Sequence, residues 1–289
     1  MEPRSRRVPG TDGLELHLLE WSETGVPLLL LHGFGNDAHI WDDFAPEVAP
    51  YYRTLALDHR GHGDSSWDPE RRYELDTLVA DVDAVTAALE IERLVLVGHS
   101  LGGRIATLFA GRHPDRLAGL VLVDIGPELD ARGVTRIRME AESGVEASFE
   151  SIDAYARLLS IHYPAAKPHA LLRMARHGVR RRDDGRFVPK TDPALRGAAG
   201  RNEDREQAEA RENRIITEQW EALRRIPCPT LVVRGAASDV FSADTADTMV
   251  DEVLRQGRLA VVAQSGHSVM TDNPEGFEKA LSAFLLSEE

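Results

Sequence analysis

Gly98-His99-Ser100-Leu101-Gly102 sets one serine between glycines at the spacing G-x-S-x-G. A serine hydroxyl is a weak nucleophile until a base takes its proton, and the base needs a further group to fix its tautomer and orientation. The pentapeptide follows an apolar run at 94–97 and opens an amphipathic stretch at 101–113, so the serine stands on a strand-to-helix turn. Small neighbours let such a turn tighten until the hydroxyl projects from the end of a sheet. The same glycines suit an ordinary turn carrying an inert serine, so the motif needs partners before it means chemistry.

Eleven histidines compete to be the base. His267, in Gln264-Ser265-Gly266-His267-Ser268, follows the last apolar run at 259–262 and precedes the final amphipathic stretch at 274–286. That places it on a loop at a strand's C-terminal end, where open α/β sheets gather their chemistry. His17, His113, His162, His169 and His177 fall within or at the ends of expected elements and read as packing or surface residues. Two aspartates between Ser100 and His267 follow apolar runs. Asp239 follows 231–235 through a short loop, and Asp124 ends 120–123 directly. Asp239 is the favoured orienting acid, with Asp124 the alternative.

Acyl chemistry also needs two backbone N–H groups aimed at the developing oxyanion. One belongs to the residue after the nucleophile, Leu101. The other comes from the loop after an early strand, and Phe34 in Leu31-His32-Gly33-Phe34-Gly35 fits that place. His32, Gly33, His99 and Trp41 are further pocket candidates. His99 equally suits packing beside its strand, and Trp41 equally suits a core.

Asp58-His59-Arg60-Gly61-His62-Gly63-Asp64 has the composition of a metal site but matches no zinc spacing. The alternative is a glycine-shaped turn in which Arg60 or Asp64 ties loops together. No metal and no cofactor are expected. Arg132, Arg136 and Arg138 have the chemistry to clamp a substrate carboxylate, although exposed arginines are mostly solvated. The lone cysteine, Cys228, lies between two prolines and reads as structural, which leaves the nucleophile's role to Ser100.

These residues need a scaffold. Short apolar runs at 14–21, 27–31, 54–57, 94–97 and 120–123 alternate with helical patterns such as 76–90 and 101–113. Continuous rather than alternating apolarity marks strands covered on both faces, as in parallel sheets. The pattern breaks over 128–222, which has no apolar strand run and reads as helices, with a turn near 180–185. Residues 193–214 are so polar that part of the stretch is expected to be mobile. Strand–helix alternation then resumes with 230–233, 243–256, 259–262 and 274–286. The expected organisation is a core of 1–127 and 223–289 interrupted by an insertion at 128–222.

The 289 residues are 42% hydrophobic and 28% charged, as in a globular chain, and 48 Asp+Glu against 34 Lys+Arg give a net charge of −14. Such an anion repels phosphate backbones, so nucleic-acid binding is not expected. No apolar run approaches the ~20 residues that span a bilayer. The charged start lacks the apolar stretch of a signal peptide. A single cysteine excludes a disulfide framework. A cytoplasmic protein acting on a small molecule is expected.

On His32-Gly33-Phe34-Gly35, the run from Asp58 to Ser65, the glycines from Gly98 to Gly103, the Asp239 loop and Gly266-His267, the chain resembles the α/β-hydrolase fold superfamily, in its serine-nucleophile form with a helical cap. The resemblance implies a mostly parallel eight-stranded α/β sheet whose first two strands lie near 4–8 and 14–21, and an all-helical cap inserted after Asp124. It also implies a carboxylesterase-like hydrolase working through an acyl-enzyme. Hydrolysis of a carbon–carbon bond in a ring-cleavage product, of a lactone or of an amide, and cofactor-free perhydrolysis, use the same serine. Carbon–carbon hydrolases of the family commonly have Asn where this chain has His99. Haloalkane and epoxide hydrolases use Asp where this chain has Ser100. A ligand-binding receptor on this fold is the alternative from another class.

Overall fold

The computed structural model describes residues 1–143, 148–197 and 205–286. Part of the polar stretch 193–214 thus lies outside the described residues. The apolar runs become β1 (Arg4–Pro9), β2 (Glu15–Glu20), β3 (Val26–Leu31), β4 (Tyr52–Leu57), β5 (Leu94–His99) and β6 (Leu117–Val123). The chain then leaves the sheet and forms a separate ribbon of β7 (Val179–Arg181) and β8 (Phe187–Pro189). It returns as β9 (Thr230–Gly235) and β10 (Gly257–Val262). The eight-stranded sheet has the order β1-β2-β4-β3-β5-β6-β9-β10. β2 runs antiparallel to both its neighbours, and every other pairing is parallel.

Side chains alternate between the faces of a strand, and both faces here are apolar. In β3, Leu29 and Leu31 enter one buried cluster while Leu28 and Leu30 enter the other. The first face is covered by helices Leu75–Ala88, Leu101–Arg112 and Arg205–Arg225, which contribute Val82, Ile105 and Leu223. The second is covered by helix Pro274–Leu285 through Phe277 and Leu281. That helix starts with proline at a favoured position, behind an Asn273 cap whose Oδ1 accepts from the Gly276 amide at 3.0 Å.

Trp41 belongs to this second cluster. It is fully buried, with its ring 6.1 Å from that of Phe277, so the pocket role considered for it is replaced by packing. Cys228 is buried next to the start of β9, and burial pushes its thiol above the usual range.

Strand register decides where the chemistry gathers. Leu31 lies level with Gly98, His99 with Val123, Val123 with Val233, and Gly235 with Val262. The loops leaving β3, β5, β6, β9 and β10 therefore emerge along one edge, and they carry Phe34, Ser100, Asp124, Asp239 and His267 respectively.

Between β6 and β9 the chain forms helices Ala131–Ser143, Ile152–His162, Pro168–His177 and Pro193–Gly197, followed by Arg205–Arg225. This insertion differs from the helical expectation in one respect, the β7–β8 ribbon, which pairs Val179 with Pro189 and turns near Gly185 at φ +83°. Only Val179 of β7 is buried while Arg180 and Arg181 are exposed, so no apolar run announces the strand. The expected boundary after residue 222 falls inside helix Arg205–Arg225. That helix is already docked on the core: a Cβ on Gly111 would lie 2.5 Å from that of Ala222.

Candidate active site

Ser100 joins β5 to its helix with φ +52° and ψ −116°. A non-glycine residue held at such angles costs about 1–3 kcal/mol, and the surrounding packing enforces it. A Cβ on Gly98 would lie 2.3 Å from the Gly102 carbonyl oxygen, and one on Gly102 would lie 2.3 Å from that of Leu31. These two glycines let the helix start directly above the ends of β5 and β3.

Ser100 Oγ is 2.9 Å from His267 Nε2, and His267 Nδ1 is 2.9 Å from Asp124 Oδ2. A carboxylate only accepts, so Nδ1 carries the proton and Nε2 is left to accept from the Ser100 hydroxyl. Asp124 is fully buried. Its Oδ1 accepts from the Gly235 amide at 2.8 Å, and its Oδ2 also accepts from the Ser238 hydroxyl at 2.5 Å. Three donors from β9, its loop and His267 thus fix a carboxylate at the end of β6.

Asp239, favoured on sequence grounds for this place, is not the carboxylate facing His267. Ser238 Oγ accepts from the amides of Val240 at 3.2 Å and Phe241 at 3.1 Å, which coils the loop. Asp239 faces the insertion instead. Its two oxygens accept from Arg136 Nε and Nη2, each at 2.7 Å, and this bidentate pair lowers its carboxyl below the ordinary range. The Gly133 amide also donates to the Asp239 carbonyl at 3.0 Å, docking the insertion's first helix on the loop.

Gly33, Phe34 and Gly35 face the cavity above Ser100. Leu101 is the first residue of its helix, so its N–H has no acceptor within that helix. The Phe34 amide donates to no protein acceptor among the described residues. Beneath this loop His32 is fully buried and does not line the cavity. Its Nε2 accepts from the His59 amide at 3.1 Å, so its Nδ1 donates to the Gly33 carbonyl at 2.7 Å. Burial, with His59 and His62 close by, holds its imidazole well below the ordinary range, as a neutral brace.

The Asp58–Asp64 run is knitted into the same base. Asp58 accepts from the Ala38 amide at 2.6 Å, the Asp64 amide at 2.8 Å and His17 Nδ1 at 2.7 Å. Burial raises its carboxyl, but the His17 bond, neighbouring histidines and the Asp64 amide outweigh this and hold it at about 2. A Cβ on Gly63, at φ +52°, would collide with that carboxylate. Arg60 is fully buried and forks onto Asp81 at 2.5 and 2.7 Å.

A cavity of about 470 Å³ opens over Ser100 between the sheet's edge and the insertion. Tyr155, Leu158 and Leu159 supply apolar wall from helix Ile152–His162, and Arg136 and Glu140 supply charge from helix Ala131–Ser143. The sequence reads this stretch as helices without showing what they face. Gly33 and His99 line the cavity as expected. His99 Nε2–H donates to the His267 carbonyl at 2.9 Å, while its buried Nδ1 has no partner. Burial and nearby His267 lower its imidazole to about 3, so it stays neutral. Ser238 escaped sequence reasoning, although it adjoins the aspartate that reasoning chose.

An eight-stranded sheet in this order, with a serine on the turn after β5, defines the α/β-hydrolase class of fold. The alpha/beta hydrolase fold family matches residues 26–274, and the chain belongs to that family. It is similar to 2-(acetamidomethylene)succinate hydrolase of Mesorhizobium japonicum, 26% identical over 91% of this chain and 88% of the relative. A crystal structure of E-2-(acetamidomethylene)succinate hydrolase superposes with a TM-score of 0.85 at 26% identity, covering 99% of this chain and 100% of the other. Esterase Rv0045c of Mycobacterium tuberculosis is 30% identical over 89% of this chain and 81% of its own length. The 2-hydroxymuconate semialdehyde hydrolase of a Pseudomonas species is 29% identical over 91% and 88%. Among the described residues no helix is long and apolar enough to cross a membrane.

Proposed function

We propose that this protein is a serine hydrolase cleaving a small ester-like substrate, with Ser100, His267 and Asp124 as its triad. The observation that carries the reading is the unbroken row from Ser100 Oγ through both nitrogens of His267 to buried Asp124, each step 2.9 Å. Family membership and relatives named as hydrolases support it.

In this reading Ser100 Oγ attacks the carbonyl carbon as its proton passes to His267 Nε2. Asp124 stabilises the imidazolium through Nδ1–H and remains ionised. The amides of Phe34 and Leu101 receive the negative charge that develops on the carbonyl oxygen. His267 then protonates the leaving group, leaving the acyl group on Ser100. Water, deprotonated by the same histidine, releases the acid and restores the enzyme. No step calls on a metal or cofactor. The part of the insertion before helix Arg205–Arg225 acts as a cap whose inner wall shapes the acyl pocket. Asp239 ties that cap to the core through Arg136.

A fluorophosphonate probe should label wild-type protein at Ser100 and leave Ser100→Ala unlabelled. The same substitution should abolish turnover of p-nitrophenyl butyrate while the circular dichroism spectrum stays unchanged. Labelling elsewhere, or near-normal turnover by the variant, would refute the proposal, and no labelling of wild-type protein together with no turnover would favour a binding role for this fold.

A further inference from the structure

The cavity wall has a charge pattern of its own. Among the described residues, the lining holds one arginine, Arg136, the carboxyls of Glu140, Asp239 and Asp272, and the imidazoles of His99, His162 and His267. Arg136 is already committed. Its Nε and Nη2 hold both oxygens of Asp239 at 2.7 Å, and its Nη1 donates to Glu140 at 2.9 Å. Asp272 accepts from the Gly266 amide at 2.8 Å, directly beside His267. Among the described residues the cavity therefore offers an incoming ligand no guanidinium or ammonium group that is not already paired.

We infer that this cavity selects acyl groups without negative charge, an inference that rests on the hydrolase reading above. Among the described lining residues, the one guanidinium or ammonium group a substrate carboxylate can reach is Arg136. To take it, the carboxylate must displace Asp239 from a bidentate pair, the strong geometry for a guanidinium. Asp239 would then be stranded beside both the incoming anion and Glu140, and like charges placed together in an interface are strongly disfavoured. A neutral acyl chain meets none of these costs and lies against Leu158, Leu159 and Ile137 of the wall.

The test compares p-nitrophenyl butyrate with p-nitrophenyl hemisuccinate, of similar length but ending in a carboxylate. The butyrate should be favoured at least about tenfold in kcat/KM, the scale of one like-charge contact in a partly screened site. The gap should narrow as salt rises, because screening weakens repulsion. Asp239→Asn should also narrow it by freeing the guanidinium, whereas a purely structural loss would slow both esters equally. Should that variant fail to fold, the salt dependence on wild-type protein carries the test alone. Equal or better turnover of the hemisuccinate, or a gap indifferent to salt, would overturn the inference and leave the hydrolase reading intact. Failure of both esters, together with no fluorophosphonate labelling at Ser100, would remove that reading and this inference with it.

Discussion

His267 Nδ1 lies 2.9 Å from Asp124 Oδ2, although 143 positions separate the two residues in the chain. The contact exists because β6 and β9 are neighbours and β10 pairs with β9, so the loops after β6 and β10 end side by side. Asp124 itself stands at φ +50°, a conformation held by its amide donating to the Val233 carbonyl at 2.7 Å. Asp124 is thus set by the sheet, whereas Asp239 is set by the insertion.

Ser238 reinforces Asp124 from the side away from the imidazole. Ser238→Ala removes the hydroxyl donor to Oδ2 and the acceptor for two loop amides. Losing a hydrogen bond to a charged group costs about 1.5–3 kcal/mol. We expect kcat to fall roughly tenfold or more with KM little changed, as measured by steady-state kinetics on p-nitrophenyl butyrate. A KM effect alone would show that the hydroxyl serves the pocket rather than the acid.

Gly33→Ala tests the spacing of the loop proposed to hold the oxyanion. The added Cβ would lie 2.8 Å from His99 Nδ1 and 3.1 Å from the Ser100 Cβ, so the loop or the His99 ring must shift. Because a displacement of about 1 Å at a reacting centre costs on the order of a hundredfold in rate, kcat should collapse well before the fold does. Parallel thermal melts and kinetics on the variant separate the two effects.

Arg60 is a stability residue. It is fully buried and shares Asp81 and Asp68 as carboxylate partners. Arg60→Met leaves buried Asp81 without its cation, while Asp68 keeps Arg72, and breaking a buried pair in this way costs about 3–5 kcal/mol. Chemical denaturation should register that loss, while the surviving folded protein keeps its kcat.

Buried neutral histidines give the fold a definite response to acid. His59 is lowered from 6.5 to about 4 by burial, and His99 from 6.5 to about 3 by burial and by His267. Each binds a proton more readily in the unfolded chain, so the stability tied to its neutral form is complete above about 6.5. It is lost as pH falls from there toward the folded-state values. Asp58, held at about 2, adds a second loss that begins only below about 4. Burial raises the Asp37 carboxyl to about 7, so that residue adds stability as pH falls and offsets one histidine. With both His59 and His99 opposing it, melting temperature should start to drop below about pH 6.5. A plateau from pH 7 down to pH 4.5 would contradict this account of the buried histidines.

Much of this was legible in the chain because it is local. The turn around Ser100, the glycines that permit it, the strands beside it and the loop of His267 each leave a mark within a few residues. The β7–β8 ribbon left none, since its strands are too short and too exposed to show a pattern. That Asp124, the alternative, rather than the favoured Asp239 faces His267 was hidden for a related reason. Both aspartates follow apolar strands, and only tertiary contacts tell them apart: Ser238 and Gly235 gather at Asp124, while Arg136, 103 positions away, takes Asp239. Trp41 and His32 read as pocket residues because they flank the oxyanion loop in sequence, but the fold turns both into its interior.

The most direct measurement of the central claim is kcat for Asp124→Asn beside Asp239→Asn, on p-nitrophenyl butyrate near neutral pH. Replacing a triad acid by its amide puts the imidazole in the wrong tautomer and lowers kcat by about ten-thousandfold in a well-studied serine protease. The account predicts a loss approaching that size for Asp124→Asn and less than about tenfold for Asp239→Asn. The opposite ranking would return the acid's role to Asp239 and contradict the account.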